Sequence, residues 1–242
     1  KNIPLIEDVC ESHGATHGGQ RVGSFGNMSN FSFYYAHHMS TIEGGMVSTN
    51  DEETYEKLRM LRSHGMVREA SNTSIGEDYK KRYPDLNPEF IFAFPAYNMR
   101  NNEIGGILGQ RQLKRLTENN AIRSRNQKRF IENINKIAYQ TDFQIQGSSN
   151  YAFNLVLKEK DDVLMARLIK LLKKNGVEYR RGSAGGGNQL RQPYLKKIIE
   201  KNAWKNFPVT EHIHFYGMYI GNFPDLSLKE VDEIVNIINQ AV

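Results

Sequence analysis

The stretch FSFYYAHHMSTIEGGMVSTN, residues 31–50, combines two strand-like segments with a loop that carries two adjacent histidines. Aromatic and β-branched residues favour strands, so we predict one strand over 29–35 and a second over 44–49. The loop between them contains His37 and His38. Either these histidines take part in acid–base chemistry, because imidazole titrates near neutral pH, or they are incidental residues of a polar loop.

The segments around this stretch predict a layered α/β piece. The predicted elements are a buried strand of parallel type at 3–6, a helix from a capping box of Asn50 and Glu53 to about Ser63, a loop at 70–88, a helix at 103–116 and a second long helix to about Ala138. The loop is predicted from its Asn, Thr, Ser, Gly and Pro residues.

The character of the sequence changes near residue 140, where QGSSN (146–150) has the composition of a linker. Beyond it we predict strands in YAFNLVLK (151–158), VEYR (177–180) and GMYIGN (217–222), an amphipathic helix at 161–176 that ends at Gly176, and a terminal helix at 227–240 that Ser227 and Glu230 cap. The predicted domains are therefore 1–140 and 141–242.

The composition is that of an ordinary globular protein and excludes several classes. Of 242 residues, 39% are hydrophobic and 24% charged, and no apolar run is long enough to span a bilayer. The single cysteine excludes an intrachain disulfide or a multi-cysteine metal site within this chain and favours the cytoplasm. The formal charge of +5 comes from scattered Lys and Arg, which suits a small phosphorylated ligand better than nucleic acid.

The first ten residues, KNIPLIEDVC, contain a strand pattern that runs directly into two acidic residues. A domain rarely begins inside a core strand, so we expect a preceding segment to complete it. Asp8 follows this strand at the position where α/β sheets place their ligands. It either pairs with a protonated pyridine nitrogen of a bound cofactor or caps a helix, and this segment alone favours the cap.

Four segments, in order, resemble the DegT family of fold type I PLP enzymes, whose aminotransferases act on sugar nucleotides. They are Asp8 with HGA (13–15), the Phe-Ser-Phe strand (31–33) with EGG (43–45), RSHG (62–65) and YNMRNNEIGGILGQRQL (97–113). The closing segment 207–222 is also similar to that of the family. The resemblance implies the C-terminal part of the family's large mixed-sheet PLP-binding domain, followed by a small C-terminal α/β domain, with the N-terminal part of the large domain absent.

His37 falls where the family's aminotransferases have the lysine that forms a Schiff base with PLP. Imidazole has no primary amine, so a histidine there keeps the proton transfer and loses the covalent attachment. By resemblance, this predicts a dehydratase that uses pyridoxal or pyridoxamine phosphate (PLP or PMP). It would remove the 3-hydroxyl of a nucleotide 4-keto-6-deoxy sugar, with L-glutamate as amino donor, in deoxysugar and polysaccharide biosynthesis.

Two other functions stay open. An aminotransferase of the same family would need a lysine near the cofactor, and none lies between Lys1 and Lys57. A catalytically silent homologue would bind no cofactor. The dehydratases of the family that carry an iron–sulfur cluster need four cysteine ligands, so Cys10 alone favours the iron-free kind.

The resemblance also assigns roles to other residues. Ser32 would bind the cofactor phosphate, and Asn98 with Arg100 would reach the phosphate in the neighbouring subunit, which implies a homodimer with shared sites. Glu11, His13 and His64 are further candidate contacts to cofactor or substrate. Arg181 is a candidate substrate contact because it lies beside a glycine-rich segment, and not because of the resemblance. For Glu11, His13 and His64, a purely structural role is equally consistent with the sequence.

Two further motifs receive weaker interpretations. RRGSAGGGNQLRQPYL (180–195) lacks the Gly-Lys-Ser/Thr of a Walker loop. With Arg181 and Arg191 beside its glycines, it either closes over a nucleotide diphosphate or is a surface loop without a role. HIH (212–214) would diverge on a helix, so we expect no metal site.

Overall fold

The computed structural model describes residues 3–182 and 187–242. The chain divides into two compact units, Lys1–Thr117 and Glu118–Val242, and each contains a three-stranded sheet with helices. The mixed α/β class predicted from the sequence is confirmed. Within the described ranges, no helix combines the length and apolar character needed to cross a membrane.

The described part of the first unit, from residue 3 onwards, contains five strands. They are β1 (Ile6–Asp8), β2 (Thr16–His17), β3 (Gln20–Arg21), β4 (Met28–Ser32) and β5 (Gly45–Thr49). The main sheet has the order β1-β4-β5, with β1 parallel and β5 antiparallel to β4, whereas β2 and β3 form a separate hairpin. The strands predicted at 29–35 and 44–49 are confirmed, with slightly shorter limits.

The strand predicted at 3–6 is correct in its parallel pairing but wrong in position and burial. The ladder with β4 begins only at Ile6, because the Leu5 N–H donates to the side-chain Oδ1 of Asn27 at 3.0 Å instead of to a strand carbonyl. Ile6 is 61% exposed, since no element among the described residues covers that side chain. The apolar sequence therefore forms a sheet edge with an open face.

Three helices of the first unit differ in part from the predictions. They are α1 (Glu52–Leu61), α2 (Thr73–Arg82) and α3 (Glu103–Leu113). The cap of α1 is Asp51, whose side chain accepts from the Thr54 N–H at 2.7 Å, so the capping box assigned to Asn50 is wrong. The loop predicted at 70–88 is also wrong, because Asn72 caps α2 and Ile75 packs against a small core around Met60.

The second unit contains the elements α4 (Leu116–Asn133), β6 (Ala152–Val156), α5 (Asp162–Lys174), β7 (Arg180–Arg181), α6 (Pro208–Tyr216), β8 (Gly217–Gly221) and α7 (Leu228–Asn239), of which α4 starts two residues before the division. The sheet has the order β6-β8-β7 and is antiparallel. The terminal helix has the predicted capping box of Ser227 and Glu230. Gly176 has a φ of +68° just after α5, as a glycine stop requires.

The core of the second unit explains where the units divide. Phe130 of α4 stacks on Phe153 of β6, with ring centroids 4.6 Å apart, and both are almost fully buried. Helix α4 thus belongs to the second unit, and it ends at Asn133 instead of the predicted Ala138. The assignment of domains to 1–140 and 141–242 stays a prediction about the whole protein.

Candidate active site at the end of the parallel strand pair

Asp8 ends β1 and is held by residues of β4 and of the following turn. The parallel register pairs Asp8 with Asn30, whose Nδ2 donates to Asp8 Oδ1 at 3.0 Å. The backbone N–H of Cys10 donates to the same oxygen at 3.2 Å. The Cys10 thiol and N–H, then Asn30 and the charge of His37, keep the pKa of Asp8 below its usual value. The carboxylate is therefore ionised at neutral pH and exposed at the strand end.

The loop between β4 and β5 fixes His37 through its backbone. The His37 N–H donates to the Tyr34 carbonyl at 3.0 Å, and the Thr41 N–H donates to the Phe33 carbonyl at 2.9 Å. Gly44 closes the loop with a φ of +150°, and a Cβ there would lie 2.8 Å from Thr41 Oγ1. Only glycine fits this position without displacing its neighbour.

His37 lies beside a carboxylate, and most of its side chain is shielded from solvent. Its side chain is 13% exposed, and Nε2 lies 3.7 Å from Glu11 Oε1. The ring of Tyr34 contacts it edge-on, with centroids 5.4 Å apart. Because the charge of His37 acts on the pKa of Asp8, these groups belong to one electrostatic cluster. The cluster thus places the imidazole of His37 near the carboxylates of Glu11 and Asp8.

His13 and His38 are buried behind this cluster. His13 is 4% exposed, with its ring centroid 5.6 Å from Phe31 and 5.8 Å from Phe33. Burial, and then the charge of His37, lowers the pKa of His13, which favours a neutral imidazole. A cavity of about 630 Å³ in the first unit is lined by His13 and these phenylalanines, whereas Asp8 and His37 do not line it.

Ser32 is the last residue of β4 and faces the start of the histidine loop. Its Oγ accepts from the Tyr34 N–H at 3.2 Å. Among the residues that the structure describes, none accepts the Ser32 hydroxyl proton. Ser32 can therefore donate to an anion at the strand ends.

A second group of predicted residues surrounds Ser63, which is fully buried. Asn98 forms an isolated antiparallel bridge with Ser63, and the N–H of His64 donates to the Tyr97 carbonyl at 2.9 Å. Arg100 donates from Nε to Ser63 Oγ at 2.6 Å and from Nη2 to Glu69 Oε1 at 3.0 Å. The guanidinium is thus oriented, and no acceptor among the described residues bonds its Nη1.

Arg181 lies in the second unit, on β7. Its Nη2 donates to the Phe215 carbonyl. Part of the predicted glycine loop, residues 183–186, lies outside the described residues. Arg191 at its far end is already occupied, because it pairs with Glu211 from Nε at 2.8 Å and stacks on Trp204 at 3.8 Å. The guanidinium of Arg191 is therefore not free to bind a diphosphate, which argues against that hypothesis for Arg191.

Sequence reasoning missed the residues that hold the site together. Cys10 and Asn30 bond the carboxylate of Asp8. Ser63 and Glu69 orient the guanidinium of Arg100. The carboxylate of Glu7 accepts from three backbone N–H groups at 2.6–2.7 Å, those of Gly23, Phe25 and Gly26. Of these residues, only Cys10 could have been linked to Asp8 from the sequence, because it lies two positions away in the chain. Across residues 3–182 and 187–242, no three His, Cys, Asp or Glu side chains cluster as metal ligands would.

The chain belongs to the DegT/DnrJ/EryC1/StrS aminotransferase family, whose model matches residues 1–239. This agrees with the sequence of motifs from Asp8 to the terminal helix.

Among the relatives, the GDP-4-keto-6-deoxy-D-mannose 3-dehydratase of Yersinia pseudotuberculosis is 34% identical, over 99% of this chain and 61% of its own. The solved E. coli GDP-4-keto-6-deoxy-D-mannose-3-dehydratase with bound hydrated PLP has a TM-score of 0.85 and 30% identity, over 98% of this chain and 61% of its own. A second structure of GDP-4-keto-6-deoxymannose-3-dehydratase, with PLP and glutamate trapped, has a TM-score of 0.83 and 29% identity, over the same shares. The chain spans about three fifths of the length of these relatives.

Proposed function

We propose that the protein is a PLP/PMP-dependent nucleotide-sugar 3-dehydratase of deoxysugar and polysaccharide biosynthesis. It removes the 3-hydroxyl of a nucleotide 4-keto-6-deoxy sugar, with L-glutamate as amino donor. The observation that carries the proposal is His37, which the β4–β5 loop holds beside Glu11 and Asp8 at the strand ends. The relatives named as 3-dehydratases support the same reading.

The side chains at the strand ends fit a phosphorylated pyridine. Asp8 offers an ionised carboxylate for a protonated ring nitrogen, and Ser32 offers a hydroxyl proton for a phosphate. When bound as PMP, the cofactor supplies an amine for the 4-keto group and an electron sink for the reaction. The carboxylate of Glu11 lies next to the His37 imidazole, where it would contact the cofactor or the reacting part of the sugar.

His37 performs the proton transfers in this proposal. Its Nε2 would accept a proton from the C4′ carbon of bound PMP, and the carboxylate of Glu11, 3.7 Å away, would stabilise the imidazolium and orient the ring. The protonated Nε2 then donates to the departing 3-hydroxyl, so that it leaves as water. The buried His13 keeps the wall behind the site neutral.

The remaining predicted residues belong to binding. Asn98 and Arg100 are proposed to reach the cofactor phosphate of a second subunit in a homodimer, and the oriented guanidinium of Arg100 with its uncommitted Nη1 supports this. His64 and Arg181 are proposed substrate contacts. The single cysteine supports a cytoplasmic location for the activity.

The test of this proposal is His37→Asn in the full-length protein. We expect PMP to stay bound, because Asp8 and Ser32 are unchanged, and dehydration to fall by at least two orders of magnitude, which is the usual contribution of a general acid–base residue. Borohydride should not fix PLP to the wild-type protein. Substantial turnover by His37→Asn would assign the proton transfer to another residue.

An aminotransferase is the second candidate, because the family carries that name. It would need a lysine at the site, and the described segment of the first unit up to Asp51 contains none. Covalent fixation of PLP by borohydride in the wild-type protein would favour this candidate over the dehydratase.

A further inference from the structure

Asn30 and Cys10 form a closed hydrogen-bonded arrangement with Asp8. The two hydrogens of the Asn30 side-chain amide serve two acceptors, Asp8 Oδ1 at 3.0 Å and Cys10 Sγ at 3.2 Å. The Cys10 backbone N–H also donates to Oδ1, at 3.2 Å, and a side-chain hydrogen bond of Cys10 contributes to the lowered pKa of Asp8. Within the described residues, no N–H group bonds Oδ2.

We propose that Asn30 and Cys10 are positioning residues that hold Asp8 by Oδ1 and leave Oδ2 as the acceptor for the protonated ring nitrogen of bound PMP. This inference rests on the proposed function, because it assumes that Asp8 faces the cofactor. It adds two residues that act through Asp8 and do not contact the reacting atoms.

The sheet makes this arrangement rigid. The parallel register places Asn30 directly opposite Asp8, and the Val9 N–H donates to the Asn30 carbonyl at 2.9 Å. Asn30 is therefore fixed by the same ladder that fixes Asp8. Because the ladder already fixes the backbones of both residues, the Asn30 side chain loses little conformational entropy when it bonds the carboxylate of Asp8.

The protonation states suit the arrangement. Burial, followed by the hydrogen bond and charge of Asp8, raises the pKa of the Cys10 thiol to about 11, so that the thiol keeps its proton at neutral pH. A thiolate would repel the carboxylate, whereas a thiol can donate to it. Asp8 stays ionised, and an ionised carboxylate whose N–H donors both bond Oδ1 is a directional partner for a ring N–H.

A positioning role and a structural role predict different results. If Asn30 and Cys10 only support the sheet, their loss lowers stability and leaves the bound cofactor unchanged. If they position Asp8, their loss weakens PMP binding and lowers the protonated fraction of the ring nitrogen. The nitrogen-15 chemical shift of PMP labelled in the ring reports this protonation directly and does not depend on turnover.

The experiment compares Asn30→Ala, Cys10→Ala and Cys10→Ser in the full-length protein. Thr49→Val is the matched control, because Thr49 lies in the same sheet, at the end away from Asp8, and its Oγ1 also forms hydrogen bonds, to the backbone of Asn27 and Asp51. For Asn30→Ala and Cys10→Ala we expect PMP to bind about tenfold more weakly, with the nitrogen-15 shift moved towards neutral pyridine. Cys10→Ser, which keeps a donor, should lie close to wild type, and Thr49→Val should not change either measurement.

The possible results distinguish a failure of the positioning role from a failure of the proposed function. Wild-type binding of PMP with a protonated ring nitrogen, unchanged in Asn30→Ala and Cys10→Ala, would refute the positioning role and leave the proposed function intact. Absence of PMP binding by the wild-type protein would overturn both, whereas wild-type PMP binding by Asp8→Asn would refute the positioning role alone. If Asn30→Ala fails to fold, as circular dichroism would show, the comparison of Cys10→Ala with Cys10→Ser decides the question.

Discussion

Replacement of Gly65 by alanine should destabilise the first unit, because the backbone leaves no room for a methyl group. Gly65 has a φ of +77°, and a Cβ built there would lie 2.0 Å from the carbonyl oxygen of Phe94. The left-handed conformation costs an L-residue roughly 1–2 kcal/mol, and overpacking against backbone typically adds about 1–3 kcal/mol. We therefore expect a loss of about 2–5 kcal/mol.

The matched control is Gly76→Ala. Gly76 lies within α2, where no atom comes within 4 Å of the added Cβ, so alanine should stabilise the helix by up to about 1 kcal/mol. Thermal unfolding of the full-length protein, followed by circular dichroism, should show a lower Tm for Gly65→Ala and an unchanged or higher Tm for Gly76→Ala. Equal Tm values for the two variants would refute the close approach of Gly65 to Phe94.

Two other predictions concern acid stability and the single tryptophan. Backbone N–H groups, that of Gly23 first, lower the pKa of Glu7 from its usual 4.5, so its stabilising effect is complete above pH 4.5 and is lost as the pH falls through the lower pKa of the folded state. Glu7→Gln should therefore lower the Tm at pH 7 and flatten its decline below pH 4.5; an unchanged acid limb would contradict this. Arg191→Leu should make Trp204 more accessible to acrylamide quenching, because the guanidinium covers the indole at 3.8 Å, whereas Lys205→Leu, whose ammonium lies at 5.6 Å, should change it little. Equal quenching in both variants would contradict the stacking.

Local patterns predicted a large part of the fold. The strands around the histidine loop were correct because their residues are themselves strand formers, and α7 was correct because its capping box lies entirely within four residues. Helix α2 was missed because its composition is polar and its stability comes from tertiary contact, with Ile75 and Tyr79 packed near Met60. No local pattern carries that contact.

In the candidate site, too, local motifs point to some residues, whereas others depend on contacts that only the fold creates. Asp8, Ser32 and His37 were predicted from motifs in sequence order, and their roles stay predictions. The contact of Asn30 with Asp8 could not be predicted, because it depends on the register of two strands whose paired residues are 22 positions apart in the chain. The occupied state of Arg191 likewise depends on Glu211 and Trp204, which only the fold brings to it.

The most direct test of the central claim is the set of products that the full-length protein forms from L-glutamate and a 4-keto-6-deoxy nucleotide sugar. With His37 moving the proton and no lysine in the histidine loop, we expect a sugar that has lost its 3-hydroxyl and gained no amino group, with one ammonia and one 2-oxoglutarate for each sugar. Mass spectrometry and an ammonia assay measure both. A 4-amino sugar as the main product, without ammonia, would contradict the dehydratase and establish an aminotransferase.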